Sequence, residues 1–202
     1  PKLLATTKNG KVGLVKWEFA GQKPGTLENF LPGGIENNEI INLIPLPKNE
    51  SLSLGLLSTD GKFKRLPIHE VLDLSGRAAT IVKLKDQIYL KSAVICFPKG
   101  ELIIATNFGR IVKIKISDEN VPLMGKLAQG QQIIRLFPEE VIIGAVSNVD
   151  LLENYLLIFT KNGKIIKIKT SSLKNYNKGD IGEIVFSEEE IKTKKDKAIF
   201  IC

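Results

Sequence analysis

Leu156-Leu-Ile-Phe-Thr-Lys-Asn-Gly-Lys-Ile165 is the stretch that decides the fold. An apolar run meets a turn that ends in glycine, a basic residue follows, and a second apolar run begins. The same grammar occurs three more times. It is Leu3-Leu-Ala-Thr-Thr-Lys-Asn-Gly-Lys-Val12, Leu54-Gly-Leu-Leu-Ser-Thr-Asp-Gly-Lys-Phe63 and Leu102-Ile-Ile-Ala-Thr-Asn-Phe-Gly-Arg-Ile111. The turn glycines Gly10, Gly61, Gly109 and Gly163 stand 51, 48 and 54 residues apart. Each copy predicts a β-hairpin with strands rich in Ile, Val, Leu and Thr. Asn9-Gly10, Asp60-Gly61 and Asn162-Gly163 predict type I′ turns, which need positive φ at both central residues. Phe108-Gly109 departs from that pattern.

Working outward, a second half recurs between hairpins. Leu74-Ser-Gly-Arg-Ala-Ala-Thr80 leads into Ile81-Val-Lys-Leu84 and then Ala93-Val-Ile-Cys96. Met124-Gly-Lys-Leu-Ala-Gln-Gly130 leads into Ile133-Ile-Arg-Leu136 and Val141-Ile-Ile-Gly-Ala-Val146. Lys178-Gly-Asp-Ile-Gly182 leads into Glu183-Ile-Val-Phe186 and Ala198-Ile-Phe-Ile201. Pro32-Gly-Gly-Ile35 leads less clearly into Ile40–Pro45. The reading is all-β: about four repeated four-stranded blades of a β-propeller or β-pinwheel, over roughly 1–50, 51–98, 99–150 and 151–202. No segment sustains a 3.6-residue period for a helix's length. Phe186–Lys197 comes nearest and reads as a solvated charge run.

The 202 residues carry a formal charge of +7 and a pI of about 9.3, which suggests a polyanionic partner without identifying it. The first position after each turn glycine is basic: Lys11, Lys62, Arg110 and Lys164. Lys64, Arg65, Lys113, Lys115, Lys167 and Lys169 follow along the same strands. Strand side chains alternate, so Lys113 with Lys115, and Lys167 with Lys169, point away from Val112, Ile114, Ile166 and Ile168. A lysine on one edge strand is ordinary protection against aggregation. Basic residues at one turn position in four units predict a cationic outer rim that meets DNA phosphates without reading bases.

Thr160-Lys-Asn-Gly-Lys-Ile-Ile-Lys167 resembles the hairpin motif of the C-terminal β-pinwheel of the DNA gyrase and topoisomerase IV A subunits. Pro122-Leu-Met-Gly-Lys-Leu-Ala-Gln-Gly130 with Ile134-Arg-Leu136 is similar to that family's blade-linking motif, and Gly76-Arg-Ala-Ala79 is a shorter match. The resemblance implies a disc around whose rim duplex DNA bends, with DNA-facing charge on Lys62, Lys64, Arg65, Arg77, Arg110, Lys113, Lys126, Lys164 and Lys167. It also implies a longer parent chain with an N-terminal breakage–reunion domain and an ATP-hydrolysing B subunit, in the bacterial cytoplasm at the nucleoid. The gyrase-specific heptapeptide Gln-Arg-Arg-Gly-Gly-Lys-Gly does not occur here; Gly33-Gly34 is its nearest trace. Either that box lies outside this chain or the parent is closer to topoisomerase IV. Gyrase discs commonly have six blades, and four are counted here.

Catalytic chemistry is not expected in this chain, nor a cofactor or metal; ATP and Mg²⁺ would act elsewhere in the parent. His69 is the sole histidine, too little for a multi-ligand metal site, and no phosphate-binding glycine loop occurs. Tyr89, Tyr155 and Tyr176 inherit no DNA-cleaving role, which belongs to another domain of the family. Trp17 and Phe19 read as packing residues, and Glu139-Glu140 and Glu188-Glu189-Glu190 as solvated turns. Cys96 reads as a small buried hydrophobe, and two cysteines make no disulfide framework. The chain opens on Pro rather than Met, which predicts a domain of something longer, and no apolar run is long enough for a membrane span. The alternatives are a protein-interaction propeller with a basic face and, with less in its favour, a propeller enzyme.

Overall fold

A computed structural model describes residues 2–17, 21, 25–149, 154–187, 189 and 196–202. Phe19, Glu188, Glu190 and most of Phe186–Lys197 lie outside the described residues. The four hairpins form where the glycines mark them: β1 (Lys2–Thr7) with β2 (Lys11–Val15), β4 (Ser53–Ser58) with β5 (Lys62–Pro67), β8 (Glu101–Thr106) with β9 (Arg110–Lys115), and β12 (Tyr155–Thr160) with β13 (Ile165–Lys169). A third strand pairs antiparallel with the first in each: β3 (Ile40–Leu46), β7 (Leu90–Cys96), β11 (Ile142–Asn148) and β15 (Ala198–Ile201).

The turns correct the type I′ expectation. In all four, the glycine N–H donates to a residue three positions earlier, Thr7, Ser58, Thr106 or Thr160, at 3.0 Å. The glycines have φ of +77°, +82°, +73° and +82°, while Asn9, Asp60, Phe108 and Asn162 are not among the non-glycine residues with positive φ. This is a turn of ordinary hand closed by a left-handed glycine. Only the glycine needs the unusual conformation, so Phe108 fits as well as asparagine does. Three of the Ser and Thr residues before the turns bond locally: Thr7 Oγ1 and Thr160 Oγ1 accept from the N–H of Lys11 and Lys164 at 3.1 Å, and Ser58 Oγ donates to Lys62 O at 3.2 Å, whereas Thr106 Oγ1 donates to Glu140 at 2.6 Å.

In the first three sheets the fourth strand comes from the next unit. β6 (Ala79–Thr80) pairs with β2, β10 (Gln131–Gln132) with β5, and β14 (Glu183–Ile184) with β9. The sheet orders are β3-β1-β2-β6, β7-β4-β5-β10 and β11-β8-β9-β14; the last sheet, β15-β12-β13, has three strands among the described residues. Sheets therefore overlap the sequence units instead of coinciding with them. Each exchanged strand is pinned at the turn: Ile81, Ile133 and Val185 donate to the carbonyls of Gly10, Gly61 and Gly109 at 3.0, 2.9 and 2.9 Å.

Core lies between successive sheets. Leu4, Val12 and Ile44 pack on Leu54, Leu56 and Leu66. Leu57, Phe63 and Cys96 pack on Leu102, Ile104, Val112 and Ile114. Ile103, Ala105 and Ile111 pack on Leu156, Ile158 and Ala198. The middle sheets are covered on both faces, and all six residues of β4 and of β8 are buried. That is why their strands read as continuous apolar runs rather than alternating ones. The outer face of the first sheet, Ala5 and Val15, is capped by its own unit through Ile35, Leu27, Phe30 and Leu31. The far face of the last sheet has no such cover among the described residues, and in β12 the exposed Tyr155 and half-buried Leu157 and Phe159 alternate with buried residues. No described helix is long and apolar enough to cross a membrane.

Candidate nucleic-acid interface

The twelve basic residues singled out in the sequence divide into two groups. Four are buried, and the expectation that they face solvent is corrected. Arg110 is 1% exposed. Its Nε and one terminal nitrogen donate to both oxygens of Glu140 at 2.8 and 2.7 Å, and its other bonds reach the carbonyls of Ile181 and Arg135 at 2.7 Å each. The Phe137 ring covers the guanidinium at 4.9 Å. Glu140, expected in a solvated turn, is buried too. Burial would raise its carboxyl, but hydrogen bonds from Arg110, Thr106 Oγ1 and the Phe137 N–H outweigh this and hold it below the usual range.

The other three buried cations join neighbouring units. Lys113 pairs with Glu101 at 3.2 Å and donates to Thr170 O at 3.1 Å. Arg65 binds Asp118 and Val121 O, both at 2.5 Å. Lys64 donates to Ile81 O at 2.7 Å and Gly125 O at 2.9 Å, and burial pushes its ammonium down to about 8. The physical reason is shared: the following unit's linker lies along β5 and β9, with Met124 and Tyr176 donating to the carbonyls of Arg65 and Lys113 at 2.8 Å. Long basic side chains reach the orphan carbonyls of that linker. Lys167 occupies the same hairpin position in the last sheet, where no linker lies beside it among the described residues. It is exposed and sits over the Tyr155 ring at 4.1 Å.

Lys11, Arg77, Lys115, Lys126 and Lys164 are exposed as expected, and Lys169 is half-buried. Lys126 is tied to Glu70 at 2.7 Å. Lys62 is half-buried, 3.2 Å from Gln129 and 3.6 Å from Asp60. Among the exposed cations outside those twelve are Lys83, Lys85, Arg135 and Lys178. Lys83 and Lys85 line one depression with Lys62 and Gln129. Arg135 and Lys178 are exposed, the latter 3.1 Å from Gln131. The signal for Lys178 was present: Arg77, Lys126 and Lys178 each stand shortly before an exchanged strand, one per junction between sheets.

Other side chains offer little chemistry. His69 opens a four-residue helix, His69–Leu72, and is exposed beside Glu70. Trp17 is 43% exposed, so it packs less than expected. Cys96 is buried, with its thiol pushed up to about 12 by burial, and Cys202 is exposed; both are free. Among the described residues no three His, Cys, Asp or Glu side chains gather as metal ligands would.

The family model for the DNA gyrase C-terminal domain, beta-propeller, matches residues 56–86, 100–147 and 154–199, more than half of the chain. The chain belongs to that family. The DNA gyrase A subunit of Staphylococcus aureus (strain COL) is 27% identical over 165 residues, 78% of this chain and 18% of the relative. The DNA topoisomerase 4 A subunit of Synechocystis sp. is 26% identical over 148 residues, 69% of this chain and 16% of the relative. The chain thus spans under a fifth of these curated relatives. Among solved structures, the C-terminal domain of DNA topoisomerase IV superposes on all of this chain with a TM-score of 0.79 at 18% identity, covering 61% of that structure. The E. coli ParC C-terminal domain gives 0.66 at 14% identity over 99% of this chain and 78% of that one. The family-model match starts at Leu56, while the match to the Staphylococcus aureus subunit, at 78% of the chain, is longer than the 147 residues from Leu56 to Cys202 and so reaches into the first unit.

Proposed function

We propose that this gyrase-family domain binds and bends duplex DNA through phosphate contacts, as the C-terminal domain of a type IIA topoisomerase A subunit. The observation that carries the reading is the exposed basic residue at each junction between sheets, Arg77, Lys126 and Lys178, on a chain of this family. Lys11, Lys83, Lys85, Arg135, Lys164 and Lys167 add exposed charge. Ammonium and guanidinium groups of this kind displace condensed counterions and carry no base information. Bending a duplex around a small protein costs on the order of several kcal/mol, offset by the extra phosphate contacts. The parent would be cytoplasmic, carry a breakage–reunion domain and work with an ATP-hydrolysing B subunit that supplies the chemistry.

Duplex binding titrated against salt tests it. The expected slope of log K against log salt is several units, roughly −0.9 for each phosphate neutralised. Replacing Arg77, Lys126 and Lys178 with Gln together shallows that slope without moving the thermal midpoint. A slope that stays unchanged, or binding that is flat in salt, overturns the proposal.

A further inference from the structure

The second and third units build one frame and fill it differently. In the third, Arg110 follows the turn glycine and binds both oxygens of Glu140, which also accepts from Thr106 Oγ1. In the second, Lys62 follows Gly61, and the stretch Ile81–Ile88 matches Ile133–Glu140 position for position. Ile81 and Ile133 each donate to a turn-glycine carbonyl, and Ile88 and Glu140 each donate to the carbonyl three positions earlier at 3.1 Å. Gln87 and Glu139 share a left-handed φ of 63°. Ile88 therefore stands where Glu140 stands, and Lys85 stands where Phe137 covers the guanidinium. What the second unit leaves is a depression lined by Lys62, Lys83, Lys85 and Gln129. The carboxylate in its lining is Asp60, which takes the Ser58 hydroxyl as Glu140 takes that of Thr106, but lies 3.6 Å from Lys62. Three ammonium groups against one carboxylate leave two positive charges in excess.

We infer that this depression is a seat for one phosphate group, held by Lys62, Lys83 and Lys85 in the place that the Glu140 carboxylate fills in the third unit. The inference rests on the DNA reading only for the source of that group, a phosphodiester of the bound duplex. Carboxylate and phosphate offer a cation the same thing, charged oxygens that accept charge-assisted hydrogen bonds. The change of cation suits the change of anion. Arg110 forks onto a planar carboxylate, whereas lysines act as point charges that can meet a tetrahedral group from several directions. Gln129 Oε1 accepts from Lys62 at 3.2 Å, which leaves its Nε2 to donate to a phosphate oxygen. Lys83 and Lys85 are exposed, so the seat opens to solvent, and Lys126, exposed three residues before Gln129, extends the charge along the same linker. Contacts with phosphates fix the register of a duplex on a protein. A phosphate caught here would set that register at the junction between the second and third sheets.

The test has two arms. In the first, inorganic phosphate is titrated into the 202-residue chain against sodium chloride of equal ionic strength, and the thermal midpoint is read. A saturable rise is expected. It is lost in Ile88→Glu, which returns a carboxylate to the seat, and in the double variant Lys83→Gln with Lys85→Gln. A general salt effect would not saturate and would survive both changes. Circular dichroism without phosphate confirms that the variants fold. In the second arm, duplex binding is titrated against salt, and the slope of the double variant shallows by about one unit, as one lost phosphate requires. No saturable rise in the wild type, or a rise that persists in either variant, overturns the seat. A rise lost in both variants with an unchanged duplex slope upholds the seat and assigns it to free phosphate. A flat salt response of the wild type overturns the DNA reading and leaves the seat to be judged on the first arm alone.

Discussion

The Arg110 guanidinium donates four hydrogen bonds, two to Glu140 and two to backbone carbonyls of other segments. Removing one member of such a buried pair strands the other, so Arg110→Ala is expected to cost about 3–5 kcal/mol in chemical denaturation. Glu140 titrates below its unfolded value, and the sign follows. Its contribution is complete above the unfolded carboxyl pKa of about 4.3 and drains as pH falls through the lower folded value. Glu140→Gln should remove that limb from a plot of urea midpoint against pH. Lys64 behaves oppositely to a salt-bridged lysine. Its folded pKa, about 8, lies below the unfolded value of about 10.4. The folded state therefore releases its proton first, and stability rises between those two pH values. Comparing wild type with Lys64→Met over that window checks it: the rise, on the order of a few kcal/mol, should be absent from the variant. At this scale the sequence was half legible. A basic residue at a recurrent strand position was visible, but Lys113 and Lys167 look alike in one dimension. Which of them is buried depends on whether another unit's linker lies beside the strand.

At the scale of the element, the hairpin carried most of what could be read. Asn162-Gly163 and its three relatives located every turn, because only glycine takes left-handed φ without strain. The turn type was misread because Asn-Gly also suits a turn with both central residues left-handed. Phe108, which tolerates no such role easily, was the clue that only the glycine mattered. The two-residue strands β6, β10 and β14 carry no signal in residues such as Gln131-Gln132, whose place is set by the glycine carbonyl they approach. This separates otherwise equivalent glycines. Gly163→Ala meets only the backbone strain of positive φ, about 1–2 kcal/mol. Gly61→Ala adds a Cβ 2.2 Å from Ile134 O, a backbone atom that cannot rotate away, and should cost about 3 kcal/mol or more. Equal losses of melting temperature in the two variants would contradict this difference.

For the whole molecule, four units and their spacing were evident from the glycines, and the direction of strand exchange was not. Sequence repeats look self-contained, while each of the first three sheets borrows from the unit that follows. A chain stopped after Ser172 would lose β14 and so injure the sheet before the cut. Amide exchange at Ile111 should accelerate by at least about tenfold relative to the full chain, with Val12 in the first sheet unaffected. Among the described residues the two outer sheets differ as well: Leu27, Phe30 and Ile35 close the first, and Tyr155, Ile165 and Phe200 are exposed on the last.

Synthesis runs from the N-terminus, and domains fold as they leave the ribosome. The first hairpin and its third strand are made by Leu46, yet their sheet waits for Ala79–Thr80 to emerge before its outer edge is closed. A nascent chain of this protein therefore always trails one raw edge, moved forward with each unit translated, and a pause between units is when it is most open to mispairing.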